Sequence, residues 1–363
     1  MKIQAEYSKF PLYFRFRAGT SRGVLTSKVS YMLKIYFSHD PGRFGIGEVS
    51  LIAGLSPDDV SDLEPRLHNL CQKIGNIPLE VNRSWVNPDF VVPVYSTSLV
   101  PDTLPAVRFG METALLDLLN GGHRMVFNNS FYTHAKPITI NGLIWMGDKE
   151  YMLNQIAEKL EDGFTSLKVK IGGANFEDEL ELLKSLRKEY TAQELSIRLD
   201  ANGAFSADNA MEYLNRLSEV EPEILEQPIK PGQIQEMAAI CEKSLVPIGL
   251  DEELIGITDL DNKLKLLETV KPKAVILKPS LLGGFQAGRE WIEVAEELGI
   301  RWWLSSALES NVGLNALAQF SANYDLQTPQ GLGTGNLYRN NIGSPLELKG
   351  NKLTYNKKVS WEV

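Results

Sequence analysis

Histidine and cysteine are scarce in this chain of 363 residues, with four and two respectively. Cys71 and Cys241 lie far apart and form no Cys-x-x-Cys pair, which excludes a disulfide framework and a thiolate metal site. Both read as small buried hydrophobes. His39, His68, His123 and His134 all precede residue 135, so the remainder of the chain has no imidazole to offer zinc. Long apolar runs are missing too. None approaches the roughly 20 residues of a membrane span, and the N-terminus, Met1 to Tyr7, lacks a secretory apolar stretch. A soluble cytoplasmic protein with no membrane partner is expected. No Lys/Arg block is present, and a net charge of −9 with a pI near 5.2 repels nucleic-acid backbones and anionic membranes. The oligomeric state is left open.

A composition of 43% hydrophobic and 23% charged residues is that of an ordinary globular protein. The length exceeds one typical domain, but a barrel of about 250 residues plus one small domain accounts for it. Alternation through Tyr31–Phe37, with turn signals at Asp40-Pro41-Gly42 and Gly45-Ile46-Gly47, predicts a small antiparallel sheet. Ser56-Pro57-Asp58-Asp59 reads as a helix start, and Val107–Leu119 as a long apolar-striped helix ending at Gly121-Gly122. After about residue 136 short apolar strands alternate with amphipathic helices. The strand candidates are Ile138–Ile140, Ser166–Ile171, Ser196–Asp200, Ile224–Gln227, Pro247–Asp251, Ala274–Lys278, Arg301–Ser305 and Asp325–Gln330. Eight strands at a repeat of roughly 27 residues are what a parallel (β/α) barrel requires, with a doubly wound open sheet as the alternative. The tail after Gly335 alternates again, and its strands are expected to join the first domain as edge strands.

In such a barrel the active site lies at the C-terminal ends of the strands. The second strand ends in Lys168-Val169-Lys170, and the next four end in Asp200, Glu226, Asp251 and Lys278, spaced 30, 26, 25 and 27 residues apart by subtraction. With neighbouring strands about 4.8 Å apart, the three carboxylates can converge on one point, where they would repel each other without a cation. Oxygen-only ligation suits a hard divalent ion, and Mg²⁺ tolerates a partial protein cage. Strands two and six face each other across an eight-stranded ring, so Lys170 and Lys278 would flank a substrate. Lys168 shares a face with Lys170, and a like charge lowers its neighbour's pKa, tuning a lysine toward general-base work. Any one such acid is commonly only a loop anchor; five polar strand ends in succession are harder to explain that way.

Lys168-Val169-Lys170, Asp200-Ala201-Asn202, Glu226-Gln227-Pro228, Asp251-Glu252 and Lys278-Pro279, in that order, resemble the enolase superfamily in its muconate-lactonising-enzyme-like branch, over nearly the whole chain. The resemblance implies an α/β fold, a modified TIM barrel over 126–337, with an α+β capping domain over 1–125 and a tail, 338–363, returning to the cap. It implies that Asp200, Glu226 and Asp251 hold Mg²⁺, with Mn²⁺ as substitute. Lys170 and Lys278 would be the acid/base pair beside Lys168, and the substrate a small carboxylate losing its α-proton to give an enediolate.

Gly45-Ile46-Gly47-Glu48-Val49-Ser50, Arg198-Leu199-Asp200, Ser305-Ser306-Ala307-Leu308-Glu309-Ser310 and Gly331-Leu332-Gly333-Thr334-Gly335 further resemble the o-succinylbenzoate synthase family. That resemblance implies dehydration of 2-succinyl-6-hydroxy-2,4-cyclohexadiene-1-carboxylate in menaquinone biosynthesis. Lys170 would take the α-proton and assist hydroxide departure, and Lys278 would stabilise the enediolate as a cation. Ser305 and Ser306 are candidates for binding substrate oxygens, and Thr20 and Ser21 for a mobile lid contact. Arg198 shares a face with Asp200 and is expected to pair with buried carboxylates, with Asn202 in a similar supporting role.

N-acylamino acid racemases and dipeptide epimerases of the superfamily share both lysines and all three acids. Epimerases that grip an α-amino group carry an Asp-x-Asp pair near the end of strand eight, where this chain has Gly331-Leu332-Gly333. The histidine positions exclude a mandelate-racemase-like histidine base. A phosphate-binding barrel enzyme gives the three acids no role, and a non-catalytic binding protein on the same fold would have lost one of the five residues.

Overall fold

Three long strands, β1 (Ile3–Thr20), β2 (Gly23–Phe37) and β3 (Asp40–Ser50), form an antiparallel meander in that order in a computed structural model. The model describes residues 2–20, 23–79, 88–173 and 175–363. The alternation read in Tyr31–Phe37 sorts its faces: Tyr31, Leu33, Ile35 and Phe37 join the main core, while Met32 turns to the other side and packs with Ile46 and Val312. The helix Pro105–Leu119 is buried almost all round because β3 lies flush against it. A Cβ added at Gly45 or Gly47 would sit 1.8 Å from the carbonyl oxygen of Ala114 or Gly110, so only glycine permits that approach.

The expected helix start at Ser56–Asp59 is instead a run of turns, and the helix begins later, at Leu63–Asn76. Asp58 caps a different helix: its carboxylate accepts the N–H groups of Ala106 and Val107, each at 3.0 Å. The chemistry of an N-cap is visible in the sequence, but nothing local says which helix receives it.

The parallel strands are β5 (Gly142–Ile144), β6 (Ser166–Lys170), β7 (Ser196–Asp200), β8 (Ile224–Glu226), β9 (Ile248–Leu250), β10 (Ala274–Leu277) and β11 (Arg301–Leu304), neighbouring in sequence order. Two of the eight expected strands differ. The first is divided: β4 (Ile138–Thr139) pairs with the tail on one side and accepts Gln330 N–H at Thr139 O on the other, and β5, beyond Asn141, takes the place beside β6. The last, Asp325–Gln330, forms no regular strand. Parallel bridges Ile140↔Gln330 and Ser305↔Gly331 close the ring, with Gly331 N–H donating to Leu304 O and Asn141 N–H to Gln330 O. A closed ring rather than an open sheet brings the strand ends to one mouth. The loop-to-helix turns carry local caps, including the Ser206/Asn209 capping box and Ser310.

The tail departs from the expectation that its strands extend the N-terminal sheet. The hairpin β12 (Leu346–Lys349) and β13 (Lys352–Tyr355) pairs with β4. The preceding segment meets β1, through Phe14↔Tyr338 and Arg339 N–H to Tyr13 O, and Ile342 and Trp361 pack against the cap cluster of Met32 and Ile46. Cys71 and Cys241 are half-buried rather than buried, and free; burial pushes their thiols up to about 11 and about 12. Among the described residues no helix is long and apolar enough to cross a membrane.

Candidate active site

Parallel register sets the site. Lys170 lies beside Asp200 and Asp200 beside Glu226, while Asp251 and Lys278 follow β9 and β10 directly. Ligand oxygens of Asp200, Glu226 and Asp251 lie within 4.8 Å of one another, and all three residues are buried. Lys168 donates to Glu226 and pairs with Asp200 at 2.8 Å. Lys170 donates to Asp200 at 2.6 Å and to Asn202 Oδ1 at 2.8 Å. Lys278 donates to Asp251. Glu226 Oε1 is buried with no hydrogen-bond partner among the described residues. Three convergent carboxylates, one carrying an unused oxygen, with no nitrogen or sulfur donor among them, fit a hard divalent cation.

The lysine pKa values shift in opposite directions. Burial pushes the Lys170 ammonium below its usual pKa, with Lys168 and Lys278 adding to the effect and Asp200 opposing it. Burial works equally against Lys168, but Asp200, Glu226 and Asp251 together outweigh it and raise its pKa. Lys278 is likewise raised against its own burial, by Asp251 first. Among the acids, Lys168, Lys170 and Lys278 outweigh burial and hold the Asp200 carboxyl well below the carboxylate range. Burial lifts Glu226 to about 7, with Lys168 opposing and Asp200 and Asp251 adding. That repulsion is what a bound cation would relieve.

Lys168, Lys170 and Lys278 open onto a cavity of about 160 Å³. The cap closes its outer side with Leu25, Ile52 and Leu55, and Trp145 and Leu308 supply further apolar wall. Ser305 and Ser306 both line it, but the Ser306 hydroxyl donates to Glu309 and accepts from Leu308 N–H at 3.0 Å, so its proton serves the loop. The lid candidates fall at the limit of the structure: the Thr20 backbone belongs to β1, and Ser21 lies outside the described residues. Arg198 is fully buried, yet its partners are Glu223 at 2.9 Å, the Pro329 carbonyl and the Trp303 ring. It points into the barrel one layer below the acids because it stands two residues before Asp200, toward the start of the strand.

Asn202 is held at φ +45°, accepting from Lys170 and donating to Glu252 at 2.9 Å. Several polar residues of the site escaped the sequence reading. Gln227, at φ +41°, accepts the N–H groups of Asp251 and Glu253 and fixes the start of that loop. Its signal was its place directly after Glu226. Asn141 and Thr334 line the cavity, and Asn141 Oδ1 and Thr334 Oγ1 are buried without hydrogen-bond partners among the described residues. Asn141 directly follows the expected strand Ile138–Ile140 and Thr334 lies in the stretch Gly331–Gly335 after the eighth, but their uncharged side chains carry no signal that separates them from loop residues.

Residues 151–357 match the family model described as enolase C-terminal domain-like. The chain is 44% identical to o-succinylbenzoate synthase of Desulfotalea psychrophila over 97% of its own length and 98% of the relative's. It is 30% identical to N-succinylamino acid racemase of Thermus thermophilus over 86% of its length and 80% of that protein's. The crystal structure of MenC from Desulfotalea psychrophila superposes with a TM-score of 0.85 at 40% identity, covering 98% of this chain and 100% of that one.

Proposed function

We propose, for a chain that belongs to the enolase superfamily and within it to the o-succinylbenzoate synthase family, that it dehydrates 2-succinyl-6-hydroxy-2,4-cyclohexadiene-1-carboxylate to o-succinylbenzoate. The observation that carries this reading is the pair of lysines on one cavity, Lys170 beside Asp200 with its pKa lowered by burial and Lys278 beside Asp251 with its pKa raised. Lys170 takes the proton from the carbon bearing the carboxylate and returns it to the departing hydroxyl, so that water is the leaving group and the ring becomes aromatic. Lys278 stays charged and stabilises the negative charge that develops on the substrate carboxylate. Lys168, tied to Asp200 and Glu226, keeps a positive charge near Lys170 and so favours its neutral form. Asp200, Glu226 and Asp251 would hold Mg²⁺, with Mn²⁺ as a substitute, and the ion would supply positive charge beside the substrate carboxylate.

Asn141 and Thr334 would meet the polar succinyl arm, with Ser305 beside them, while Trp145 and Leu308 take the ring. The named activity of the Desulfotalea psychrophila relative supports this substrate and, with it, a place in menaquinone biosynthesis. A net charge of −9 disfavours nucleic acid and anionic membrane surfaces as partners, and we infer a cytoplasmic enzyme whose partner is a small carboxylate. Racemisation of N-acylamino acids is the second reading, favoured by the same lysine pair and by the Thermus thermophilus relative. Purified protein with Mg²⁺ and the cyclohexadiene substrate is expected to yield aromatic product by absorbance. No aromatic product, with exchange or epimerisation of N-acylamino acids in deuterated water, would overturn the substrate and support the second reading.

A further inference from the structure

A buried polar seam joins the cap to the loop 305–310 at the cavity wall, and the proposed chemistry uses none of its charges. From β3, Glu48 accepts the N–H groups of Ser310 at 2.9 and 2.8 Å and of Gly313 at 3.1 Å, together with the hydroxyls of Ser310 and Ser30. From β2, Lys28, only 8% exposed, donates to Ser50 and to the Leu308 carbonyl at 2.8 Å. Tyr338 donates to that same carbonyl at 2.7 Å. Leu308 itself stands at φ +61°, a left-handed conformation that a leucine adopts only when its surroundings impose it. Its side chain lines the cavity. Its N–H donates to Ser306, whose hydroxyl donates to Glu309. Glu309 also accepts from Ser280, two residues beyond Lys278.

We propose that Lys28, delivered by the cap, is a positioning residue for the reaction: by gripping the Leu308 carbonyl it imposes the strained turn that sets the cavity wall, so that docking of the cap and completion of the substrate site are one event. The inference rests on the cavity being the substrate site. Two features set this apart from simple charge balance. An ammonium that only neutralised Glu48 and Glu309 would bond to their carboxylates, whereas Lys28 bonds to a hydroxyl and a carbonyl. And the carbonyl it holds belongs to the one residue of this loop with positive φ. The motifs Gly45–Ser50 and Ser305–Ser310 thereby acquire a joint role: Gly45 and Gly47 let β3 settle on its helix, Glu48 reaches the loop, and Ser50 accepts from the Lys28 ammonium that grips it.

The test compares Lys28→Met, Lys28→Arg and Tyr338→Phe with the parent, all as full-length metal-loaded protein. Turnover of the cyclohexadiene carboxylate is followed, together with hydrogen exchange of the backbone from 303 to 313. Lys28→Met is expected to raise KM tenfold or more with kcat changed less than threefold, and Lys28→Arg to recover most of the KM. Tyr338→Phe keeps every charge and is expected to raise KM in the same direction by a smaller factor; if Lys28→Met does not fold, this variant decides. Exchange across 303–313 should quicken at least tenfold in Lys28→Met while the strands β6 to β9 stay protected. A folded Lys28→Met with KM and kcat both within twofold of the parent, a fall in kcat alone, an unchanged Tyr338→Phe, or unchanged exchange at 303–313 would overturn the proposal. The exchange needs no substrate, so failure of the parent to turn over the cyclohexadiene carboxylate would count against the proposed reaction and leave this reading to be judged by exchange.

Discussion

Lys170 is surrounded by groups that pull its charge both ways: Asp200 and Asn202 accept from it, while burial and the neighbouring Lys168 and Lys278 disfavour the ammonium. Since a general base works when neutral, kcat/KM is expected to rise with pH through a pKa below the ordinary 10.5. A profile flat from neutrality to that value would contradict it. The acids can be separated from the base by calorimetric titration with Mg²⁺. Lys170→Ala should bind the ion nearly as the parent does. Asp200→Asn should weaken binding by at least the roughly 10–100-fold that loss of an outer partner of a metal ligand costs. Thr334 offers a third site, because it lines the cavity and its buried hydroxyl has no partner among the described residues. Thr334→Val should raise KM roughly two- to tenfold, the worth of one hydrogen bond, and an unchanged KM would remove it from the substrate contacts.

At the level of elements, the helix Pro105–Leu119 joins cap to barrel through Glu112, whose carboxylate accepts Phe285 N–H at 2.7 Å and the Ser96 hydroxyl at 2.8 Å. Burial lifts the Glu112 carboxyl to about 7 from 4.5, its hydrogen bonds and Arg108 opposing. A folded-state pKa above the unfolded one means that the protonated acid is the form the fold favours. Its stabilising contribution is complete below about pH 4.5 and is lost as pH rises toward 7, about 3 kcal/mol in all. Glu112→Gln keeps the acceptor for Phe285 and cannot ionise, so its thermal midpoint should lose that part of the decline between pH 4.5 and 7; a parallel decline would contradict the assignment. Element patterns were legible where they were local: alternation in β2, the apolar helix ending at Leu119, and strand ends from Lys170 to Lys278. Where pairing partners are distant in sequence they were not. The segment Asp325–Gln330 has the place of a strand in the βα period, but Pro329 lies inside it, and the bridges are formed at its end, by Gln330 and the following Gly331. The tail strands found β4 rather than the cap, because alternation states which face is apolar and not which edge is free.

For the whole molecule, the sequence reading of barrel plus cap and the observed architecture agree because one βα period recurs throughout residues 138–305 and fixes which residues end each strand. The same arithmetic located the acids and lysines of the site. It could not locate Gln227, Asn141 or Thr334, whose roles follow from loop conformation and from how the cap closes the mouth, nor show that Arg198, on the same strand as Asp200, serves a lower layer of the barrel. Those depend on contacts across long separations, such as the meeting of Lys28 with Leu308.

The central claim is that Lys170 removes the proton beside the carboxylate in a metal-loaded barrel. Single-turnover formation of aromatic product, from substrate carrying hydrogen or deuterium at that carbon, measures it most directly. The parent with Mg²⁺ should form product with a primary isotope effect, and Lys170→Ala should be slower by roughly the 10²–10⁴-fold contribution of a positioned general base. Product formation by Lys170→Ala within tenfold of the parent, or no isotope effect in the parent's single turnover, would contradict the claim.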